Sequence, residues 1–110
     1  MDSLAEALKL LNKAHVDEIE KQVVLMCSKA LAHNEKVISV ANRFSMFPKS
    51  ALARQHTTMA RLIDRLELIQ ERFKDDNSAK GLLKIIDINL PHIKEGELKI
   101  VELIKSKGEV

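Results

Sequence analysis

Apolar side chains recur at steps of three and four residues from Ser3 to Phe44. An α-helix turns once every ~3.6 residues, so this spacing lines them up on one helical face. A first helix is therefore predicted over residues 3–45, and Glu6 follows Ser3 at the spacing of a capping box. The face consists of Leu4, Leu8, Leu11, Ile19, Val23, Met26, Ala30, Val37, Ala41 and Phe44, with His15 and Asn34 in its two gaps.

An unbroken first helix would be about 60 Å long at ~1.5 Å per residue, which is long for a compact domain of this size. The polar cluster Ala32–Glu35 is the place where such a helix could break. The apolar face keeps its phase across this cluster, and that continuity favours one helix with at most a kink.

A second helix is predicted over residues 50–74, after a corner in which Pro48 disfavours helical backbone. Its apolar residues repeat every seven positions, with further apolar residues between them, which is typical of a helix packed along another helix. They are Leu52, Met59, Leu66 and Phe73, with Leu62 and Ile69 in the intervening positions.

The remaining chain predicts two short helices separated by Pro91. The alternation Ile86, Ile88, Leu90 leaves a short extended piece before Pro91 as an alternative, and a helix-turn-helix centred on this proline is another. The expected fold is all-α. It is a small antiparallel helical bundle in a single domain over residues 1–110, with two long helices (3–45 and 50–74) and two short C-terminal ones.

The first helix carries a second set of apolar residues, which widens its apolar face beyond what one neighbouring helix covers. The C-terminal helices could cover this surface within one chain. The alternative, which we favour here, is that it contacts a second copy in a homodimer. The set comprises Leu10, Val16, Val24, Leu25, Leu31, Ile38 and Val40.

Composition narrows the functional classes. The chain has 110 residues, 45% of them apolar and 3% aromatic, and its net charge is +2, so a strongly basic nucleic-acid binder is disfavoured. The single Cys27 excludes an intrachain disulfide. No basic segment followed by an apolar run resembles a signal peptide, and no apolar run reaches the ~20 residues of a membrane span. A soluble, cytoplasmic protein without membrane contact is expected.

Residues suited to metal binding or catalysis form no convincing set. His15 with Glu18 and His92 with Glu95 have the order His-x-x-Glu, the reverse of the Glu-x-x-His pairs of di-iron bundles. Cys27 lies in the most apolar stretch, where a thiol stays protonated and inert. Three glycines cannot build a phosphate-binding loop, and no serine lies in a Gly-x-Ser-x-Gly turn. We expect no enzymatic activity, no cofactor and no metal.

Four of the five arginines lie on the second helix, where spacings of seven, four and seven place them within ~40° of one another. The segment 49–74 contains six basic and three acidic residues, so it carries +3 and the rest of the chain −1. These arginines could pair with Asp17, Glu18 and Glu20 of the first helix, with an acidic partner protein, or with nucleic-acid phosphates. This line consists of Arg54, Arg61, Arg65 and Arg72.

The corner between the two long helices contains Phe44, Met46 and Phe47. These side chains either close one end of the core or form a knob that contacts a partner, since Phe and Met are favoured in interface centres.

Taken together, the sequence predicts a non-enzymatic helical module for protein–protein interaction. It would act as an adaptor, a small subunit of an assembly or a virus-type accessory protein, and it would self-associate. The alternative is a nucleic-acid-associated protein that contacts phosphates through the arginine line.

Overall fold

A computed structural model describes residues 3–107, and every regular element in this range is helical. The elements are α1 (Ser3–Arg43), α2 (Lys49–Phe73) and α3 (Lys80–Ser106), with a single 3₁₀ turn at Asn77–Ala79 before α3. The prediction of an all-α fold is confirmed.

The first helix is continuous through Ala32–Glu35, as its unbroken apolar phase indicated. It spans 41 residues, or about 62 Å, and it has Glu6 in its first turn and Arg43 in its last. These charges oppose the partial charges of the helix ends and stabilise both termini.

The second helix begins directly after Pro48, whose extended backbone (φ −63°, ψ 129°) stops the preceding turn. Its predicted apolar repeat is confirmed, because Leu52, Met59, Leu66 and Phe73 are all buried.

The prediction of two short C-terminal helices is wrong. A single helix, α3, runs through Pro91, so the described chain contains neither the extended piece nor the helix-turn-helix considered around this proline. Pro91 is exposed, whereas Ile86, Leu90 and Ile93 are buried on the opposite side. Burying such side chains stabilises by ~1.5–3 kcal/mol each, which outweighs the ~3 kcal/mol that an interior proline costs.

The third helix lies in the middle of the structure, because α1 and α2 each pack extensively on α3 and touch one another at few positions. The larger core cluster contains buried residues of all three helices: Val16 to Cys27 on α1, Met59 to Phe73 on α2, and Ala79 to Ile93 before and on α3. A smaller cluster at the other end contains Ala41, Leu52 and Ile100.

A buried polar contact separates the two apolar clusters. Gln55 Nε2 donates a hydrogen bond of 3.0 Å to Asn34 Oδ1, and both side chains are buried. Gly96 of α3 allows this contact, since a Cβ at that position would lie 2.6 Å from Asn34 Nδ2. An amide pair without access to water must find its partner inside the protein, so this contact fixes the register of the helices.

The buried face of α1 differs from the predicted face. Its fully buried residues are Val16, Val23, Cys27, Asn34 and Ala41, whereas Leu4, Leu8, Leu11, His15 and Phe44 are exposed. If the buried face of α1 continued toward the N-terminus in steps of three and four residues, its next positions would be charged residues, which cannot pack into an apolar core. They are Lys13, Lys9 and Glu6.

Hydrogen bonds connect α1 to the turn between α2 and α3. Asn12 Nδ2 donates to Asp76 Oδ2 at 3.2 Å and to Ser78 Oγ at 3.1 Å. The Asp76 carboxylate also accepts from the Ser78 hydroxyl and backbone N–H. These bonds, from Ser78 first and Asn12 next, lower the pKa of Asp76 from its ordinary value.

The molecule is a rod of 70 × 19 × 19 Å with a radius of gyration of 18.2 Å. A compact chain of this length would have a radius of gyration near ~13 Å. The rod exposes 7840 Å², against roughly 6,100 Å² for a compact protein of 12.4 kDa. Much of the apolar surface of α1 therefore stays in water.

We expect Gly96→Ala to lower the free energy of unfolding by about 1–3 kcal/mol, because the new methyl group displaces the buried Asn34 amide. Gly81→Ala is the matched control. Its Cβ would meet only the end of the flexible Glu20 side chain, 2.7 Å away, so the better helix propensity of alanine should add up to about 1 kcal/mol. Urea unfolding followed by circular dichroism measures both, and equal effects would argue against the buried contact.

We expect Pro91→Ala to raise the free energy of unfolding by about 2–3 kcal/mol, because it restores a backbone donor inside α3 and removes the ring from the preceding turn. The neighbouring exposed variant His92→Ala should change stability by less than about 0.5 kcal/mol. A Pro91→Ala chain no more stable than its parent in the same unfolding assay would contradict a continuous α3.

Candidate functional site

The N-terminal part of α1 carries a row of exposed leucines. Leu4, Leu8 and Leu11 are 71%, 57% and 65% exposed, and steps of four and three place them on one side of the helix. Every residue from 3 to 15 is exposed. The hydrogen bonds of Asn12 mark where α1 meets the rest of the fold, so nine described residues, about 13 Å of helix, extend past it. We call Leu4, Leu8 and Leu11 the leucine row.

The leucine row points along the side of α1 that faces α2 further down the rod. Ile19 and Met26 continue the same side, and they line a groove with Ile69 and Phe73 of α2. Because α2 ends at Phe73, no described helix covers the leucine row.

The residues on either side of the leucine row are small or uncharged, which lets another helix approach closely. They are Ala5, Ala7, Asn12 and Ala14. The charged side chains of this segment, Glu6 and Lys9, lie on other sides of the helix. The row is thus a narrow apolar strip with no charge to neutralise.

The second apolar set predicted on α1 divides between the core and the surface. Val16 is buried, and Leu10, Val24 and Leu25 are exposed. Val24 and Leu25 line an open, mostly apolar depression of about 420 Å³ beside Ile85 of α3. The other members of the set are half-buried, so α3 covers only part of this surface. They are Leu31, Ile38 and Val40.

The corner residues also divide. Phe47 is half-buried and packs against the cluster of Ala41, Leu52 and Ile100. Phe44 and Met46 are 58% and 90% exposed, and they extend from the opposite end of α1 from the leucine row. The side chain that closes the core is thus Phe47, and the two exposed side chains are the ones available to a partner.

The arginine line of α2, Arg54, Arg61, Arg65 and Arg72, is exposed along its whole length. Within the described chain it forms no ion pair, and Asp17 pairs instead with Lys13 at 3.6 Å. Arg72 lies over the Phe73 ring, 5.6 Å from its centroid. The pairing with Asp17, Glu18 and Glu20 considered from the sequence is not formed.

The described residues with catalytic chemistry do not converge. Cys27 is buried, and burial raises the pKa of its thiol, which makes the thiolate scarcer at neutral pH. His56 Nε2 lies 3.0 Å from Glu97 Oε1, linking α2 to α3, a contact that the sequence spacing did not indicate. Among residues 3–107, no three His, Cys, Asp or Glu side chains are grouped to hold a metal ion.

Sequence reasoning assigned the leucine row to the core and missed that it is surface. The sequence contains a feature that indicates this, because the leucine row and the buried face of α1 lie on different sides of the helix. Lys13 and Lys9 fall where the buried face would continue. A charged residue at two successive core positions indicates that the core has ended.

None of the described helices combines the length and the apolarity needed to cross a bilayer. Comparison with known protein families, with curated proteins and with solved structures gives no match.

Proposed function

We propose that the protein is a helical protein–protein interaction module, an antiparallel three-helix bundle that self-associates through the leucine row of α1. The observation that carries this proposal is the exposure of Leu4, Leu8 and Leu11, each of them more than half exposed. They lie on the part of α1 that extends past the ends of α2 and α3. Three such leucines on one side of one helix are a typical mark of an interaction surface.

A second copy is the occupant that this surface favours. In a two-fold antiparallel pair, Leu8 packs against Leu8 of the second copy, and Leu4 packs against its Leu11. Each N-terminal segment then lies past the end of the other copy's α2, where the leucine row is uncovered. The alanines beside the row allow the two helices to approach closely, and neither copy has to bury a charge.

The expected affinity is modest. Burying a leucine that is about two-thirds exposed stabilises by roughly 1–2 kcal/mol, and the pair buries six of them. The six leucines together contribute roughly 6–12 kcal/mol, and association costs roughly 4–15 kcal/mol. With a cost near the lower end of that range, the balance of about −5 kcal/mol corresponds to a dissociation constant on the order of 100 μM. Association of this strength suits a subunit or adaptor whose dimerisation depends on its local concentration.

We expect Leu8→Lys to abolish self-association without lowering stability, because Leu8 is exposed within the monomer. The matched control is Leu10→Lys, which changes a leucine that is 70% exposed, against 57% for Leu8, two residues away on another side of the same helix. Sedimentation velocity from about 10 μM to 1 mM should show mass doubling for the parent chain and for Leu10→Lys only.

Circular dichroism melts check that both variants stay folded. A parent chain that stays at 12.4 kDa at every concentration, or equal losses of association in the two variants, would contradict the proposed pairing.

A further inference from the structure

The groove between α1 and α2 is a second surface that the fold leaves open. The two helices contact each other sparsely because both pack mainly on α3. Two depressions follow their junction, one of about 190 Å³ near Ile19 and Ile69, the other of about 390 Å³ near Val37 and Phe47. We call this surface the α1–α2 groove.

The floor of the α1–α2 groove is apolar and only half covered. Its half-buried apolar side chains come from both helices and from the corner, and exposed polar side chains, Gln22, His33 and Thr58, lie along its rim. The half-buried apolar side chains are Ile19, Met26, Val37, Phe47, Ala51 and Ile69. An apolar strip of this kind, running between two parallel ridges, has the shape into which an amphipathic helix packs.

Basic side chains lie along both edges of the groove, and on the α2 edge they form the arginine line. Arg54, Arg65 and Arg72 of α2 line its two depressions, and Arg61 lies on the same line. On α1, Lys29 and Lys36 lie three residues from the groove-lining Met26 and His33, so they share that side of the helix. The exposed Glu18, four residues before the lining Gln22, lies on the same edge, which therefore carries two basic side chains and one acidic one. The distance from Arg54 to Arg72 is about 27 Å along α2, the length of a helix of about 18 residues.

The six basic side chains of these edges form no ion pair within the described chain. Two acidic residues of α2 and α3 pair on the side where these helices meet, with Glu67 3.3 Å from Lys94 and Glu97 3.0 Å from His56. The six are Lys29, Lys36, Arg54, Arg61, Arg65 and Arg72.

A polypeptide fits this surface better than a nucleic acid does. Phosphate backbones need cations, but single-stranded binding also uses exposed aromatic rings, and the chain has no Trp or Tyr. Phe47 and Phe73 are packed into the fold, and the exposed Phe44 lies outside the lining of the groove. An apolar floor bordered by the arginine line instead matches a helix with an apolar stripe and an acidic flank.

From this combination we infer that the α1–α2 groove binds an acidic amphipathic helix of a partner protein, which packs beside α1 and α2 as a fourth helix. The leucine row takes no part in this contact, since it lies beyond the end of α2. A copy of this chain's own N-terminal segment does not supply acidic flanks, because the residues beside its leucine row are small or uncharged.

Fluorescence anisotropy tests the inference with a labelled designed helix of about 20 residues that has leucines at steps of three and four and glutamates beside them. We expect binding in the micromolar range that weakens about tenfold between 50 and 500 mM salt. A peptide of the same composition in scrambled order, and one with lysines in place of the glutamates, should each bind at least tenfold more weakly.

The double variant Arg61→Glu/Arg65→Glu should weaken binding of the designed helix at least tenfold. Its matched control is Lys80→Glu/Lys84→Glu, which changes the net charge equally at exposed positions of α3 and should cost less than about twofold. Measuring all of these in the Leu8→Lys background separates the result from dimerisation. Both double variants are first checked for an unchanged helical melt.

Three outcomes would overturn the inference. One is no binding of the designed helix at 100 μM protein, and another is an equal loss in both double variants. The third is binding of an oligothymidine that depends on Arg61 and Arg65 while the designed helix does not bind, which would identify the groove as a nucleic-acid surface.

Discussion

A helix can bury only as much apolar surface as its neighbours cover, and this limit governs the whole molecule. The first helix has 41 residues, whereas α2 has 25 and α3 has 27. The difference in length leaves the N-terminal turns of α1 without a neighbour, and there the leucine row stays exposed. The packing also opens the α1–α2 groove, because α1 and α2 both pack mainly on α3 and contact each other sparsely.

The buried contact between Asn34 and Gln55 decides which residues the neighbours cover. It holds α1 and α2 at one level along the rod, and Gly96 brings α3 close enough to enclose the pair. Sliding α1 by one turn would separate the two amides and leave both without a partner in an apolar interior. The exposed end of α1 is therefore a fixed property of the fold. The position of the proposed dimer contact depends on the Asn34–Gln55 hydrogen bond, about 40 Å away along α1.

Much of the fold was predictable from the sequence, because periodicity reports helices directly. The repeat of Leu52, Met59, Leu66 and Phe73 gave both the position of α2 and its buried face. Pro91 was misleading, since a local penalty on one residue says nothing about the tertiary packing that outweighs it. The candidate surfaces were predictable only in part. The arginine line follows from spacing alone, but the exposure of the leucine row depends on where α2 ends in space, and Lys29 and Lys36 join the arginines only through the packing of two helices.

Small-angle X-ray scattering across a concentration series tests the central claim most directly, namely that the uncovered end of α1 pairs with itself. One rod is 70 Å long, and two rods that overlap by about 13 Å at their N-terminal ends measure about 125 Å. The proposed dimer predicts that the maximum dimension rises toward this value as the mass doubles. A mass that doubles while the maximum dimension stays near 70 Å would show rods packed side by side and would contradict the claim.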